Sequence, residues 1–199
     1  TMNDTSSISV ASLTELMSAL SGGGPRTIEL TTSVACPHSI TLPPGFKLTG
    51  TDKDRCILSF VNADGIGLTA NNQVSDLTVI ATPAARAIYT QAGIPDMGTL
   101  TLRNLAVTGQ VSIIIRSDTD KLTFEANSLH IAACDARRYS EQPQKYGVNV
   151  YQGALTVYNF NGDAKSRIKA TLSNISAGGK NAPVLGSGIF VSGFGDAGA

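Results

Sequence analysis

The strongest constraint in this chain is a recurring phrase, a small and mostly polar residue followed by an apolar-x-apolar pair. It reads Asp76-Leu77-Thr78-Val79, Asn104-Leu105-Ala106-Val107, Ser128-Leu129-His130-Ile131, Ala154-Leu155-Thr156-Val157 and Asn174-Ile175-Ser176-Ala177, with a weaker copy centred on Leu48. The leading apolar positions are 48, 77, 105, 129, 155 and 175, so the spacings are 29, 28, 24, 26 and 20 residues. A second phrase, Gly or Ala before an apolar pair, interleaves with the first as Gly65-Ile66-Gly67-Leu68, Ala87-Ile88-Tyr89, Gly147-Val148-Asn149-Val150 and Gly188-Ile189-Phe190-Val191. A period of roughly 20–30 residues holding two or three short strands marks a solenoid. One coil cannot bury its own inward face, but stacked coils build a continuous column of Leu, Ile and Val. The drifting period suits a β-helix, whose turns accept insertions, better than a strict leucine-rich or ankyrin repeat.

The local signals agree. After Pro25, apolar runs at 27–30, 39–42, 46–49, 57–60, 66–68, 77–80, 87–89, 100–102, 105–107, 111–115, 122–124, 129–132, 148–151, 155–158, 168–172 and 189–192 are bounded by Gly, Asn, Asp, Pro or Ser and predict short strands. With no helices between them, a βαβ architecture is excluded. An antiparallel β-sandwich is the alternative, and the lack of two-residue hairpin signals counts against it. One helix is predicted over 12–21. Ser12 and Glu15 form a capping box, and Leu13, Leu16, Met17 and Leu20 fall on one face. Gly22-Gly23-Gly24 and Pro25 end it.

Charge narrows the partners. Fifteen Lys plus Arg balance fifteen Asp plus Glu. The basic excess of a nucleic-acid binder and the polybasic run of a membrane-surface protein are both missing. No apolar stretch reaches the roughly 18 residues of a membrane span. Cys36, Cys56 and Cys134 form no CxxC, and with His38 and His130 they complete no zinc pattern, so they read as small buried hydrophobes. Their odd number speaks against a disulfide-stapled secreted domain, and the N-terminus shows no charged-then-apolar signal pattern.

On these residues the chain resembles the pectate-lyase-like superfamily of right-handed parallel β-helices. The likeness rests on the helix of 12–20 placed directly before the first strand, on the coil register, and on the polar residue preceding the repeat Leu or Ile: Asp76, Asn104, Ser128 and Asn174. It covers roughly residues 8–195. The resemblance implies one all-β domain over 1–199, a right-handed parallel β-helix solenoid with an N-terminal helix (12–21) capping coils over 26–195. It further implies a stack of Asn-like residues at one turn, a series that Ala154 interrupts. A solenoid end has to be covered, so a longer parent protein continuing past Ala199, or a partner over that end, is expected.

Enzymes of this kind work through calcium-binding carboxylates with an Arg base, or through two or three Asp on adjacent coils. Here the acidic residues are scattered singly, and Asp52/Asp54 and Asp118/Asp120 read as solvated turns. The densest polar segment, 134–146, is the longest insertion in the series. There Asp135, Arg137, Arg138, Tyr139, Glu141 and Tyr146 combine an Arg pair, carboxylates and aromatic rings suited to an acidic sugar. These six are the candidate ligand-binding loop. His130, between Leu129 and Ile131, is expected to face outward. Tyr89, Tyr151, Tyr158 and Phe160 form either a sugar-stacking stripe or side chains packed under loops. No phosphate-loop or G-x-S-x-G pattern occurs. The expected function is a non-catalytic β-helix module with a structural or interaction role. The alternatives are a polysaccharide-active enzyme (lyase or glycosidase) and a carbohydrate-binding module. No catalytic residue, metal or cofactor is assigned. The partners expected are a polysaccharide, a protein, or a second copy through a solenoid face or end; nucleic acid and membrane are not.

Overall fold

The computed structural model describes residues 6–116, 119–137, 144–145, 148–149, 153–161 and 165–193. In chain order the elements are β1 (Ser6–Val10), α1 (Leu13–Ser21), β2 (Arg26–Leu30), β3 (Val34–Cys36), β4 (Ile40–Thr41), β5 (Lys47–Gly50), β6 (Ile57–Phe60), β7 (Ile66–Leu68), β8 (Gln73–Ile80) and β9 (Arg86–Thr90). There follow β10 (Asp96–Thr108), β11 (Gln110–Ile115), β12 (Lys121–Ile131), β13 (Cys134–Asp135), β14 (Gln144–Lys145), β15 (Val148–Asn149), β16 (Gly153–Asn159), β17 (Arg167–Ala177), β18 (Val184–Leu185) and β19 (Ser187–Gly193).

Two long parallel sheets dominate, and both are open. One runs β1-β2-β5-β8-β10-β12-β17, with β3 and β6 joined to its second half; the other runs β4-β7-β9-β11-β16-β19. Both orders follow the chain, so each excursion from one sheet to the other returns one strand further along. Every described pairing is parallel except β14 with β15. That rules out the antiparallel sandwich and gives an all-β, stacked-sheet architecture compatible with a β-helix.

Register converts the repeat into a core. Ile28, Leu48, Val74, Leu102, Ala126 and Leu172 stack in one column across the first sheet. Leu77, Leu105, Leu129 and Ile175 make a second column there. Ile40, Ile66, Ile88, Val111, Leu155 and Ile189 make the matching column of the second sheet. Most of these side chains are fully buried in one continuous cluster. Each fully buried Leu, Ile or Val among them contributes about 1.5–3 kcal/mol relative to an exposed position.

A corner bends the first sheet. Asp76, Asn104, Ser128 and Asn174 all have positive φ, at 56°, 52°, 58° and 54°. Inward side chains on either side of them, such as Val74 and Leu77 or Leu102 and Leu105, are three residues apart instead of two. Before the corner β8 pairs with β5, and after it with β6. Asn, Asp and Ser suit the left-handed conformation because their short polar groups bond locally. Asn104 Nδ2 donates to Asp76 Oδ1 at 2.7 Å, and Asn174 Nδ2 to Asn127 Oδ1 at 3.1 Å. Buried Asn side chains stitch another corner: Asn72 Nδ2 donates to the carbonyls of Pro43 and Phe46, and Asn161 Nδ2 to those of Arg116 and Thr119.

The structure corrects the sequence reading in several places. Strand β1 precedes the helix and pairs with β2, whereas the β pattern was expected to begin only after Pro25. The Ala154 phrase belongs to the second sheet, where Leu155 stacks on Val111 and Ile189. Ala154 therefore interrupts nothing, and the first-sheet series steps directly from Leu129 to Ile175. Leu48 pairs with Val74, not Leu77, because an insertion at 51–56 separates the two sides of the corner and leaves buried Cys56 just before β6. Val148 and Asn149 lie in the antiparallel pair, outside both long sheets.

The capping box forms: Ser12 Oγ accepts from the Glu15 amide at 3.1 Å, and Glu15 Oε1 accepts from the Ala11 amide at 3.2 Å. The buried face is Leu16, Ala19 and Leu20, while Met17 is 36% exposed. At about 100° per residue, Met17 sits further round from Leu16 than Ala19 does.

Candidate functional site

Of the six loop residues selected from sequence, Asp135 and Arg137 are described; Arg138, Tyr139, Glu141 and Tyr146 lie outside the described residues. Strand β13 pairs with β18, which fixes Asp135 beside Leu185. Arg137 Nε and Nη2 donate to Asp135 Oδ1 and Oδ2, both at 2.9 Å, a forked ion pair. The guanidinium bonds lower the Asp135 carboxyl to about 2, and the same bonds raise the Arg137 guanidinium. Arg137 is therefore occupied by its own neighbour.

The other sequence candidates separate. His130 is half-buried and opposite in direction to buried Leu129 and Ile131, as the alternation requires. Its Nδ1 stands 2.7 Å from Ser176 Oγ. No carboxylate orients the ring among the described residues, so the pair lacks the third member of a nucleophilic triad. The aromatic residues make no open stripe. Tyr89 is buried under Arg86, whose guanidinium lies 4.2 Å from the ring centre. Tyr158 is fully buried and packs with Ile114, Phe160 and Phe190. Tyr151 lies outside the described residues. Asp52 accepts from the Asp54 amide at 2.8 Å, the solvated turn expected there. Asp118 is not described. Cys36, Cys56 and Cys134 are buried and in no disulfide, and burial raises the Cys36 thiol to about 11.

The surface with the most developed polar geometry is the outer face of the first sheet, which sequence reasoning did not single out. Its rows follow from register. One is Thr27, Lys47, Gln73, Thr101, Glu125 and Thr171; the next is Glu29, Thr49, Ser75, Arg103, Asn127 and Ser173. Two further rows cover only the later strands: Thr99, Thr123 and Lys169, then Asp96, Lys121 and Arg167. Two adjoining shallow depressions of about 270 and 280 Å³ lie over β10, β12 and β17. The first holds Thr101, Arg103, Glu125, Asn127, Thr171 and Ser173. The second holds Asp96, Thr99, Thr123, Lys121, Arg167 and Lys169.

Asp76 organises the corner edge of this face. It accepts from Asn104, receives Thr49 Oγ1 at 3.5 Å, and pairs with Arg103 at 3.7 Å. The signal for the second depression was the 46-residue step from Leu129 to Ile175, which also aligns Lys121 with Arg167. It was hidden while Ala154 stood in the same series. Among the described residues no group of three His, Cys, Asp or Glu is placed to hold a metal ion, and no helix is long and apolar enough to cross a membrane. No protein-family model, curated protein or solved structure matches the chain.

Proposed function

We propose that the chain is a non-catalytic module, a right-handed parallel β-helix of pectate-lyase-like architecture, whose first sheet presents its outer face as an interaction surface. The chain-ordered parallel sheets and the left-handed corner series support the architecture. The observation that carries the functional reading is the spacing of carboxylates on the outer face. Glu29 and Glu125 share no row and stand four strands apart, about 19 Å at the usual strand spacing; Asp76, two strands from Glu29 at the corner edge, is already bonded by Asn104 and paired with Arg103. Asp96 and Glu125 are on neighbouring strands but offset by four residues, about 13 Å. Glycoside hydrolysis needs two carboxyls about 5–5.5 Å apart to retain configuration, or about 6.5–9.5 Å apart to invert it. Hydroxyls, amides and cations fill the ground between, which suits binding rather than bond cleavage.

The test is a turnover screen of the chain on acidic and neutral polysaccharides, with and without calcium. It reads unsaturated-uronate absorbance and new reducing ends. Silence with retained binding to a polysaccharide is the expected result. Product formation would replace this reading with an enzymatic one.

A further inference from the structure

The second depression on the outer face has an unusual charge arrangement. Lys121 on β12 is directly opposite Arg167 on β17, and Lys169 is paired with Thr123. The Cα atoms of Lys121 and Arg167 are therefore about 4.8 Å apart, with Lys169 about 6.7 Å along the strand from Arg167. All three side chains are exposed, and among the described residues none forms an ion pair. Elsewhere the cations Arg55, Arg86, Arg103 and Arg137 are each matched to an Asp. The one carboxylate in the depression, Asp96, is opposite Lys121 in register and also accepts from the Gly98 amide at 2.8 Å through Oδ1. Glu125 stands two positions along β12 from Thr123, in the other depression.

Three cations against the single carboxylate of Asp96 leave an excess of positive charge that is unfavourable in the free protein and becomes favourable when an anion joins them. We infer that Lys121, Arg167 and Lys169, with the hydroxyls of Thr99 and Thr123, form a binding site for a tetrahedral oxyanion, a sulfate or phosphate group. A carboxylate presents two oxygens in one plane and cannot face all three cations at once. A sulfate or phosphate offers oxygens in three directions, one toward each cation, and Arg167 supplies a forked donor. The compactness of the cluster and the zero net charge argue against a nucleic-acid track, which takes a stripe of cations. The inference rests on reading the outer face as an interaction surface and names the chemistry it takes.

Calorimetry on the full chain separates the sources of such a group. Inorganic sulfate and inorganic phosphate form one arm; dextran sulfate, uncharged dextran, polygalacturonate and an oligothymidylate form the other. Dextran sulfate is expected to bind in a salt-dependent manner, with dextran inert and polygalacturonate weaker. Binding of the inorganic ions alone would assign the site to a free anion. Each of Lys121→Gln, Arg167→Gln and Lys169→Gln should weaken dextran sulfate by about two- to fivefold, and the triple variant by roughly tenfold or more. Lys47→Gln, on the same face three strands from Lys121, should change nothing.

Unchanged binding in the triple variant, an equal loss in Lys47→Gln, or preference for polygalacturonate or oligothymidylate would each overturn the site. Those outcomes leave the module reading standing. Product release from any polymer in the same samples would remove that reading independently.

Discussion

The two ends of the stacked sheets meet water differently. At the first strands, Ile8 of β1 is 39% exposed, but Val10, Ile28 and Leu30 are buried in the same cluster as Leu16, Ala19 and Leu20 of α1. At the last strands, Ile189 and Val191 are 48% and 49% exposed, and Ile168, Leu172 and Ile175 are only partly buried. The same aliphatic columns run through both regions, so composition does not account for the contrast. A strand in a parallel stack buries its inward side chain against the next strand along the axis, and among the described residues no strand lies beyond β17 or β19. A helix with one apolar face can close the column because its own backbone is satisfied internally. The stability of each layer is thus set by whether something lies over it, as expected of a quasi-one-dimensional structure.

Substitutions can sharpen this contrast. The largest effect is expected in the middle of a column: Leu129→Ala should cost about 2–5 kcal/mol in denaturant unfolding. Ile189→Ala, in the corresponding inward series of the second sheet but half-exposed, should stay within about 0.5 kcal/mol. Equal losses at the two positions would erase the distinction between covered and uncovered layers.

The corner comes next. Asn104→Ala forfeits a residue suited to positive φ and the bond to Asp76, and should cost about 1–2 kcal/mol. Asn104→Gly keeps the backbone freedom, so a smaller loss there would assign most of the effect to conformation. At the capped end, Ser12→Ala should lower stability by about 1 kcal/mol through the lost Glu15 amide bond.

The smallest effect depends on pH. Asp135 is lowered from 3.8 to about 2 by Arg137. A depressed carboxyl contributes stability above its unfolded value and loses it as pH falls toward the folded one. The thermal midpoint of Asp135→Asn should therefore converge on that of the parent protein between about pH 4 and pH 2, and a constant gap would contradict the ion pair.

Much of this frame was legible in the residues. Asp76, Asn104, Ser128 and Asn174 stood out as a series before any φ value was known, because each precedes an apolar-x-apolar pair. Ser12 and Glu15 announced the helix start. What failed was assignment between sheets: Ala154-Leu155-Thr156-Val157 has the same local pattern as the corner phrases, and period-two alternation does not say which sheet a strand joins. That one misplacement concealed the cation cluster, since Lys121 and Arg167 meet only when Leu129 is aligned with Ile175. β1 was missed because Ser6–Val10 is mostly polar, with only Val10 buried. The Asp135 and Arg137 pairing is local and needed only proximity in sequence. The filling around Tyr158 depends on contacts from several strands, which alternation within β16 does not reveal.

Native-state hydrogen exchange resolved by strand tests the central claim, that the parallel layers are closed by α1 at one end and, among the described residues, uncovered at the other. Amides of β8, β10 and β12 should exchange slowest, at free energies near that of global unfolding, with β2 beneath α1 well protected and β17 and β19 markedly faster. Uniform protection from β2 through β19, or faster exchange at β2 than at β17, would contradict it.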